Sequence, residues 1–161
     1  ITAERQWVTP ADVVDAAIAH LGPLLRNRPL RISAQATCEA RVDPRLTSSA
    51  LSHLLENAAA YAPADSAIEI EAGTEPDGLH LSVRDFGRGV DPTDLDRIFE
   101  PFYRSRAVRQ VSSSTGMGLA ITRGLLAAEG GRVWAENVPD GGARFSIVVP
   151  AAVREVPAQV L

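Results

Sequence analysis

The sequence is poor in cysteine and aromatic residues and has no long apolar run. Cys38 is the only cysteine among 161 residues, so no disulfide can form within the chain and a reducing compartment is favoured. Aromatic residues make up 5% of the chain, and no apolar stretch is long enough to cross a bilayer. We therefore expect a cytoplasmic domain that makes no direct membrane contact of its own.

The sequence also lacks an excess of basic residues. The net charge is −4 at pH 7, the pI is about 5.4, and no block of like charges occurs. This composition argues against a nucleic-acid partner, which would need a basic surface. A polyanionic ligand would have to be held by local donors and a metal ion, because the overall charge does not attract it.

Length and composition fit one compact domain. Hydrophobic residues make up 45% of the chain, which is enough for a sizeable core. We predict a single domain over residues 1–150, followed by an irregular, frayed tail over residues 151–161. Because the sequence begins with Ile1 rather than Met, we expect a part of a longer protein.

Capping residues and hydrophobic periodicity predict the helices, and alternation of apolar and polar residues predicts the strands. The helices are predicted from Thr9-Pro10 to Gly22, from Asp43-Pro44 to Tyr61, from Asp91-Pro92 to Phe99, and from near Gly116 to Gly130. The strands are predicted over residues 30–34, 40–42, 68–72, 79–83, 132–136 and 143–149. The last four strands form two antiparallel hairpins. This pattern predicts an α+β fold, a two-layer sandwich with helices packed on one face of a mixed, mainly antiparallel sheet.

Four short motifs follow one another in the second half of the chain. They are Leu54-Leu55-Glu56-Asn57-Ala58, Asp85-Phe86-Gly87-Arg88-Gly89, Phe99-Glu100-Pro101-Phe102-Tyr103-Arg104 and Gly116-Met117-Gly118-Leu119-Ala120-Ile121. Glycine lets backbone N–H groups approach phosphate, and helix N-termini favour anions. Together the motifs predict a nucleotide site.

The side chains in these motifs suit adenine and a hard cation. Asp85 follows a strand and can accept a hydrogen bond from the exocyclic amine of adenine; alternatively, it caps a turn. Asn57 offers a carbonyl oxygen suited to Mg²⁺; alternatively, it is a solvated helix residue. The polar, basic segment 103–115 is expected to be a mobile loop.

The four motifs resemble the N, G1, F and G2 boxes of the catalytic and ATP-binding domain of bacterial sensor histidine kinases. The resemblance extends from about Asp43 to Pro150, and its fold is the Bergerat ATP-binding fold. Residues 54–58 and 131–137 look most like potassium-responsive kinases of the Kdp type. The same superfamily contains the ATPase domains of type II topoisomerases and Hsp90.

The resemblance implies a domain that presents Mg²⁺–ATP for transfer of the γ-phosphoryl group to a histidine. It implies that Asn57 ligates Mg²⁺, that Asp85 binds the adenine amine, and that residues 103–115 form a lid. The implied catalytic residues are Asn57, Glu56 and His53. The implied nucleotide-binding residues are Asn57, Tyr61, Asp85, Gly87, Gly89, Arg104, Gly116, Met117, Gly118 and Leu119.

The resemblance also implies partners outside this chain. None of the three histidines lies in a phosphoacceptor signature, so the acceptor belongs to a dimerisation and phosphotransfer domain of the same kinase. A response regulator would receive the phosphoryl group next. We expect the parent kinase to be membrane-anchored and this part alone not to autophosphorylate.

Four positions depart from the family pattern. His53 replaces an amide, Ala60 replaces a basic residue, Phe86 replaces an asparagine, and Ser114 stands where a further lid glycine is common. Two alternatives therefore stay open: a serine kinase of the anti-sigma type or a superfamily ATPase, and an interaction module that has lost nucleotide binding. A glutamate at position 53 would have favoured an ATPase.

Overall fold

The computed structural model describes residues 2–103 and 118–158. The described helices are α1 (Pro10–Leu21), α2 (Pro44–Tyr61) and α3 (Gly118–Ala127), with a short 3-10 helix over Gly22–Leu25 after α1. The described strands are β1 (Gln6–Val8), β2 (Leu30–Ala34), β3 (Cys38–Val42), β4 (Ile68–Glu75), β5 (Gly78–Arg84), β6 (Arg132–Asn137), β7 (Ala143–Pro150) and β8 (Val153–Glu155). None of the described helices is both long and apolar enough to span a bilayer.

The strands form two sheets. The larger sheet has the order β2-β4-β5-β7-β6, and the smaller one has the order β1-β3-β8. In the larger sheet β2 pairs with β4 in parallel, and the other neighbours are antiparallel. The mixed, mainly antiparallel sheet and the α+β class are therefore confirmed.

Two of the three helix starts predicted from cap-plus-proline signatures are confirmed, those at Thr9-Pro10 and Asp43-Pro44. The Thr9 hydroxyl accepts from the N–H of Asp12, and the Asp12 carboxylate accepts from the N–H of Thr9. This reciprocal pair satisfies two donors that the first turn of α1 leaves free. Asp43 caps α2 by accepting from the N–H groups of Arg45 and Leu46.

The apolar side chains of the helices pack against one face of the larger sheet. Ile68 and Ile70 of β4 and Leu79 of β5 are fully buried there, as are Leu51 and Leu54 of α2. The intervening residues of each strand lie on the other face, because side chains alternate along a strand. This packing fixes α2 beside β5, so that Asp85, at the end of β5, lies near the last turn of α2.

Two expectations about local structure were wrong. Residues 92–99 form consecutive turns rather than a helix. The Asp91 carboxylate accepts from the N–H and the hydroxyl of Thr93, as a helix cap would, but the backbone bonds that follow mostly join residues three apart, as in successive turns. The tail is not irregular throughout either, because Val153–Glu155 pairs with β3.

A buried carboxylate after α3 holds three segments together. Glu129 is 4% exposed and accepts from the N–H of Asp43 at 2.7 Å and from the hydroxyl of Thr47 at 3.1 Å. The guanidinium of Arg5 lies 3.6 Å from it. Burial raises the pKa of Glu129, although these partners oppose the rise. The carboxylate thus joins α3, the start of α2 and the N-terminal segment.

Glu129→Ala is expected to lower the free energy of unfolding by about 2 to 4 kcal/mol, because two buried donors lose their acceptor. Glu129→Gln keeps one acceptor oxygen and removes a charge that burial disfavours, so its loss should be clearly smaller. Urea unfolding of both variants at pH 7 measures the difference. If both variants lost the same free energy of unfolding, the charge of Glu129 rather than its hydrogen bonds would account for its contribution to stability.

Candidate nucleotide-binding site

Asp85 is a buried carboxylate at the end of the central strand β5. It is 6% exposed, and its Oδ1 accepts from the N–H of Gly87 at 2.9 Å and of Ala143 at 3.4 Å. Burial raises the pKa of Asp85, and these two backbone hydrogen bonds act against the rise. Both bonds end on Oδ1, so among the residues that the structure describes Oδ2 remains available as an acceptor for a ligand.

The loop after Asp85 packs against the C-terminal end of α2. A Cβ placed on Gly87 would lie 2.9 Å from the carbonyl oxygen of Tyr61 and 3.2 Å from Oδ1 of Asp85. Only glycine fits this approach without a shift of the backbone. The structure therefore brings Asp85, Gly87 and Tyr61 together.

The turn between β6 and β7 packs on the other side of Asp85. The N–H of Asp85 donates to the carbonyl of Ala143 at 3.0 Å. Gly142 has a φ of +77°, and a Cβ there would overlap the carbonyl oxygen of Asp85. The guanidinium of Arg84 donates to the carbonyl of Gly141 at 3.1 Å. The sequence predicts a turn between two strands here. It does not predict that the Gly141-Gly142 turn contacts Asp85, because that contact arises from the packing of distant segments.

The loop also contacts the end of β6. Gly89 has a φ of +78°, a conformation that favours glycine, and a Cβ there would lie 2.7 Å from Oδ1 of Asn137. The side-chain amide of Asn137 bonds both the N–H and the carbonyl of Val90. Asn137 was not predicted as a site residue, and no local sequence signal marks it.

The catalytic candidates lie on α2. Asn57 is half-buried and lies one turn before Tyr61, while Glu56 is exposed. His53 is half-buried, and its Nδ1 is 3.9 Å from the carboxylate of Glu56. Burial lowers the pKa of His53, with the charge of Glu56 acting in the opposite direction. A neutral imidazole at physiological pH suits a hydrogen-bonding or packing role beside Asn57.

Arg28 caps the C-terminal end of α2. Its guanidinium donates to the carbonyls of Ala59 at 3.1 Å and of Pro63 at 2.9 Å, and also to Ser66. Its positive charge also acts to lower the pKa of Asp85. No local signal in the sequence selects Arg28, because its partners are 31 or more positions away.

Phe86 does not lie on the helix side of the sheet. Its ring stacks beneath the guanidinium of Arg84, 4.3 Å from the ring centroid, and lies 5.8 Å from that of Arg31. Arg84 pairs with Glu69 of the neighbouring strand. The next pair, Ile70 and Val83, is buried under the helices, so Arg84 faces the other side of the sheet. The departure from the family pattern at Phe86 therefore changes the outer face rather than the side where Asp85 is buried.

The aromatic motif over residues 99–103 has one buried and one exposed phenylalanine. Phe99 is buried, and its ring meets that of Phe145 edge-on at 6.2 Å. Phe102 is 73% exposed. The Tyr103 hydroxyl donates to Asp94, and Arg97 stacks on its ring. Phe99 thus belongs to the core, whereas Phe102 presents an apolar ring to the surface.

The remaining predicted residues lie at or before the start of α3. Gly118 is the first described residue of α3, and its carbonyl accepts from the buried Thr122 hydroxyl at 3.0 Å. Leu119 is half-buried and packs against the core. Arg104, Gly116, Met117 and all of the predicted lid after Tyr103 lie outside the described residues.

Comparison with known proteins gives consistent matches. The family described as histidine kinase-, DNA gyrase B-, and HSP90-like ATPase matches residues 42–153. The chain is 38% identical to sensor protein IrlS of Burkholderia pseudomallei over 130 residues, which is 80% of this chain and 28% of that protein. It is 36% identical to sensor protein KdpD of Escherichia coli over 148 residues, covering 91% of this chain and 16% of that protein. The expected likeness to Kdp-type kinases is therefore found among its relatives.

Solved structures share the fold. The mycobacterial sensor histidine kinase MprB superposes with a TM-score of 0.79 at 23% identity, covering 91% of this chain and 98% of that one. The ATP-binding domain of PrrB from Mycobacterium tuberculosis gives a TM-score of 0.71 at 22% identity, covering 92% and 98%. At these identities the likeness establishes the fold alone, and the chain spans less than a third of the length of the curated relatives named above.

Proposed function

Because the chain belongs to the family of histidine kinase-, DNA gyrase B- and HSP90-like ATPases, we propose that it is the ATP-binding catalytic domain of a sensor histidine kinase. Membership of this family implies ATP binding. The observation that carries the proposal is Asp85, a buried carboxylate with Oδ1 held by two backbone N–H groups and Oδ2 left as an acceptor. Such a group suits the exocyclic amine of adenine.

The donor set also fits nucleotide and metal. Gly87 and Gly89 let the loop after Asp85 pack closely against Tyr61 and Asn137, which holds the backbone next to the Asp85 carboxylate. Asn57, one turn before Tyr61, would supply a carbonyl oxygen to Mg²⁺. Beside it, Glu56 and His53 would position that amide rather than contact the phosphates. Mg²⁺ would neutralise phosphate charge on a domain whose net charge is −4.

The N-terminal part of α3 is proposed to meet the phosphates. Helix N-termini favour anions, and Gly118 and Leu119 are the first described residues of α3. Arg104, Gly116 and Met117 complete the proposed phosphate contacts. In phosphoryl transfer the protein mainly positions the reactants and neutralises charge, so these groups need only hold ATP in line with its acceptor.

The acceptor is proposed to be a histidine on a separate dimerisation and phosphotransfer domain of the same kinase, from which a response regulator takes the phosphoryl group. Two of the three histidines of this chain have other surroundings. His53 is half-buried within α2, and His80 of β5 bonds the carboxylate of Asp77 at 2.7 Å. We propose further that this is a cytoplasmic domain of a membrane-anchored kinase, since two of its relatives are named sensor proteins.

The alternatives are less well supported. His53 stands where an ATPase of the superfamily would carry its water-activating glutamate, and a histidine acceptor needs no activated water. An interaction module without nucleotide binding was suggested by Phe86 and Ala60. The position of Phe86 beneath Arg84 weakens this alternative, because the aromatic ring does not take the place of a site group.

Titration calorimetry with a non-hydrolysable ATP analogue tests the proposal. We expect wild type to bind, and to bind more tightly with Mg²⁺ than with EDTA. Asn57→Ala should bind like wild type in EDTA but lose most of the gain from Mg²⁺, a difference of about 10-fold or more, because the metal loses a protein ligand. No binding by wild type at millimolar analogue would overturn the proposal in favour of an interaction module.

The acceptor is tested by adding the dimerisation domain in trans with labelled ATP. Phosphohistidine on that domain is the expected product, identified by its acid lability. Phosphoserine on a protein partner would instead support an anti-sigma kinase. Release of free phosphate without a phosphorylated protein would support an ATPase.

A further inference from the structure

The side-chain amide of Asn137 forms hydrogen bonds with both backbone polar groups of a single residue, Val90. Its Oδ1 accepts from the N–H of Val90 at 2.7 Å, and its Nδ2 donates to the carbonyl of Val90 at 2.6 Å. The orientation of the amide is fixed by these partners, since a backbone N–H can only donate and a carbonyl can only accept. Asn137 therefore holds Val90 as a neighbouring strand would.

This clamp holds the far end of the loop that begins at Asp85. At the near end, the N–H of Asp85 donates to the carbonyl of Ala143, the first residue of β7, and the N–H of Ala143 donates to Oδ1 of the Asp85 side chain. In the middle, Gly87 lies against Tyr61. Asn137, the last residue of β6, fixes the remaining end, so the loop is attached to both strands of the β6–β7 hairpin.

The approach of the loop to Asn137 also depends on Gly89. The φ of +78° turns the backbone so that its Cα faces the amide, and a Cβ would lie 2.7 Å from Oδ1 of Asn137. Gly89, a glycine of the family motif, thus lies directly against Asn137, which is outside the motif. The need for glycine at this position arises partly from Asn137.

We propose that Asn137 is a positioning residue for adenine recognition, which acts by holding the Asp85–Val90 loop in the conformation that presents Asp85 to the base. This inference rests on the proposed function, since it assumes that an adenine nucleotide is the ligand. Asn137 itself does not touch the ligand in this assignment. Its amide is required as both donor and acceptor.

Two substitutions separate this role from a general contribution to folding. Asn137→Ala removes both hydrogen bonds. Asn137→Asp keeps the acceptor for the Val90 N–H but sets a carboxylate oxygen against the Val90 carbonyl, which repels it. If the loop position matters, aspartate should be worse than alanine although its volume matches asparagine. Asp140→Ala, an exposed change in the same hairpin turn, is the control.

The test measures the affinity of wild type and the three variants for ADP and for a non-hydrolysable ATP analogue, with and without Mg²⁺. Asn137→Ala is expected to bind both nucleotides about 10-fold more weakly, the loss expected for two neutral hydrogen bonds. Asn137→Asp should lose more. The Mg²⁺-dependent gain should stay as in wild type, because the clamp acts on the base and not on Asn57.

Stability provides the second readout. Asn137 is exposed, so its substitution should shift the melting temperature by only a few degrees. The inference would be overturned if Asn137→Ala bound nucleotide as tightly as wild type. It would also be overturned if Asn137→Asp bound no more weakly than Asn137→Ala. Either result would leave the proposed function intact. Absence of nucleotide binding by wild type would overturn both.

Discussion

Asp85→Asn is expected to weaken ATP binding by at least about 100-fold and to change the preferred base from a 6-amino to a 6-oxo purine. The reason is the orientation that the pocket imposes on the new amide. The backbone N–H groups of Gly87 and Ala143 both point at one oxygen of Asp85. The oxygen of asparagine must occupy that place, because its NH₂ group cannot accept from either of them.

The NH₂ group of asparagine then takes the place of Oδ2, the oxygen proposed to accept from adenine. It would meet the exocyclic amine of adenine donor against donor, so a charge-assisted hydrogen bond worth about 1.5 to 3 kcal/mol is replaced by repulsion. A carbonyl at the same position of the purine would accept from it. ATP and ITP affinities of wild type and Asp85→Asn should therefore rank in opposite orders.

The same substitution should leave the fold intact. Burial raises the pKa of Asp85, so its protonated form stabilises the folded state below the ordinary pKa of aspartate. That stabilisation is lost as the pH rises through the raised pKa of the folded protein. The asparagine of the variant does not titrate, so the free energy of unfolding of the variant minus that of wild type should increase with pH across this window.

Urea unfolding between pH 4 and pH 8 checks this sign, and calorimetry with ATP and ITP checks the binding, with Asp140→Asn as an exposed control. Loss of ATP binding together with a large loss of stability would show that Asp85 serves the fold. If Asp85→Asn bound ATP as tightly as wild type, Asp85 would have no role in recognising adenine.

The parts of the site that depend on local chemistry were predictable from the sequence. Thr9 and Asp43 are side-chain caps followed by proline, and both begin helices. Alternation placed β5 correctly and thereby placed Asp85 at its end. These signals act over a few residues, so one sequence contains all the information they need.

The parts that depend on distant contacts were not predictable. β1 and β8 have three residues each, too few for alternation to be recognised, and both are ordered by pairing with β3. Asn137 and Arg28 act on segments 47 and up to 38 positions away. Their side chains are ordinary polar residues in the sequence, and only the packing of the sheet against α2 gives them a role.

The second large effect is expected at Gly142. Its φ of +77° disfavours any residue with a side chain, and a Cβ there would overlap the Asp85 carbonyl oxygen and lie 2.8 Å from the carbonyl carbon. Gly142→Ala should therefore lower the free energy of unfolding by about 3 kcal/mol or more, through backbone strain and displacement of Asp85. The neighbouring Gly141 also has a positive φ, +114°, but open space around it.

Gly141→Ala is thus a matched control that carries the strain without the overlap, and its cost should stay near about 1 to 2 kcal/mol. The two variants should differ even more in binding than in stability. Moving Gly142 away from Asp85 lengthens the bonds between Asp85 and Ala143, which hold Oδ1 in place. Calorimetry with an ATP analogue at low temperature should show near-normal affinity for Gly141→Ala and at least about 10-fold weaker binding by the folded fraction of Gly142→Ala. Equal stability losses and equal affinities of the two variants would mean that positive φ alone makes this turn require glycine. The β6–β7 hairpin would then not support the Asp85–Val90 loop.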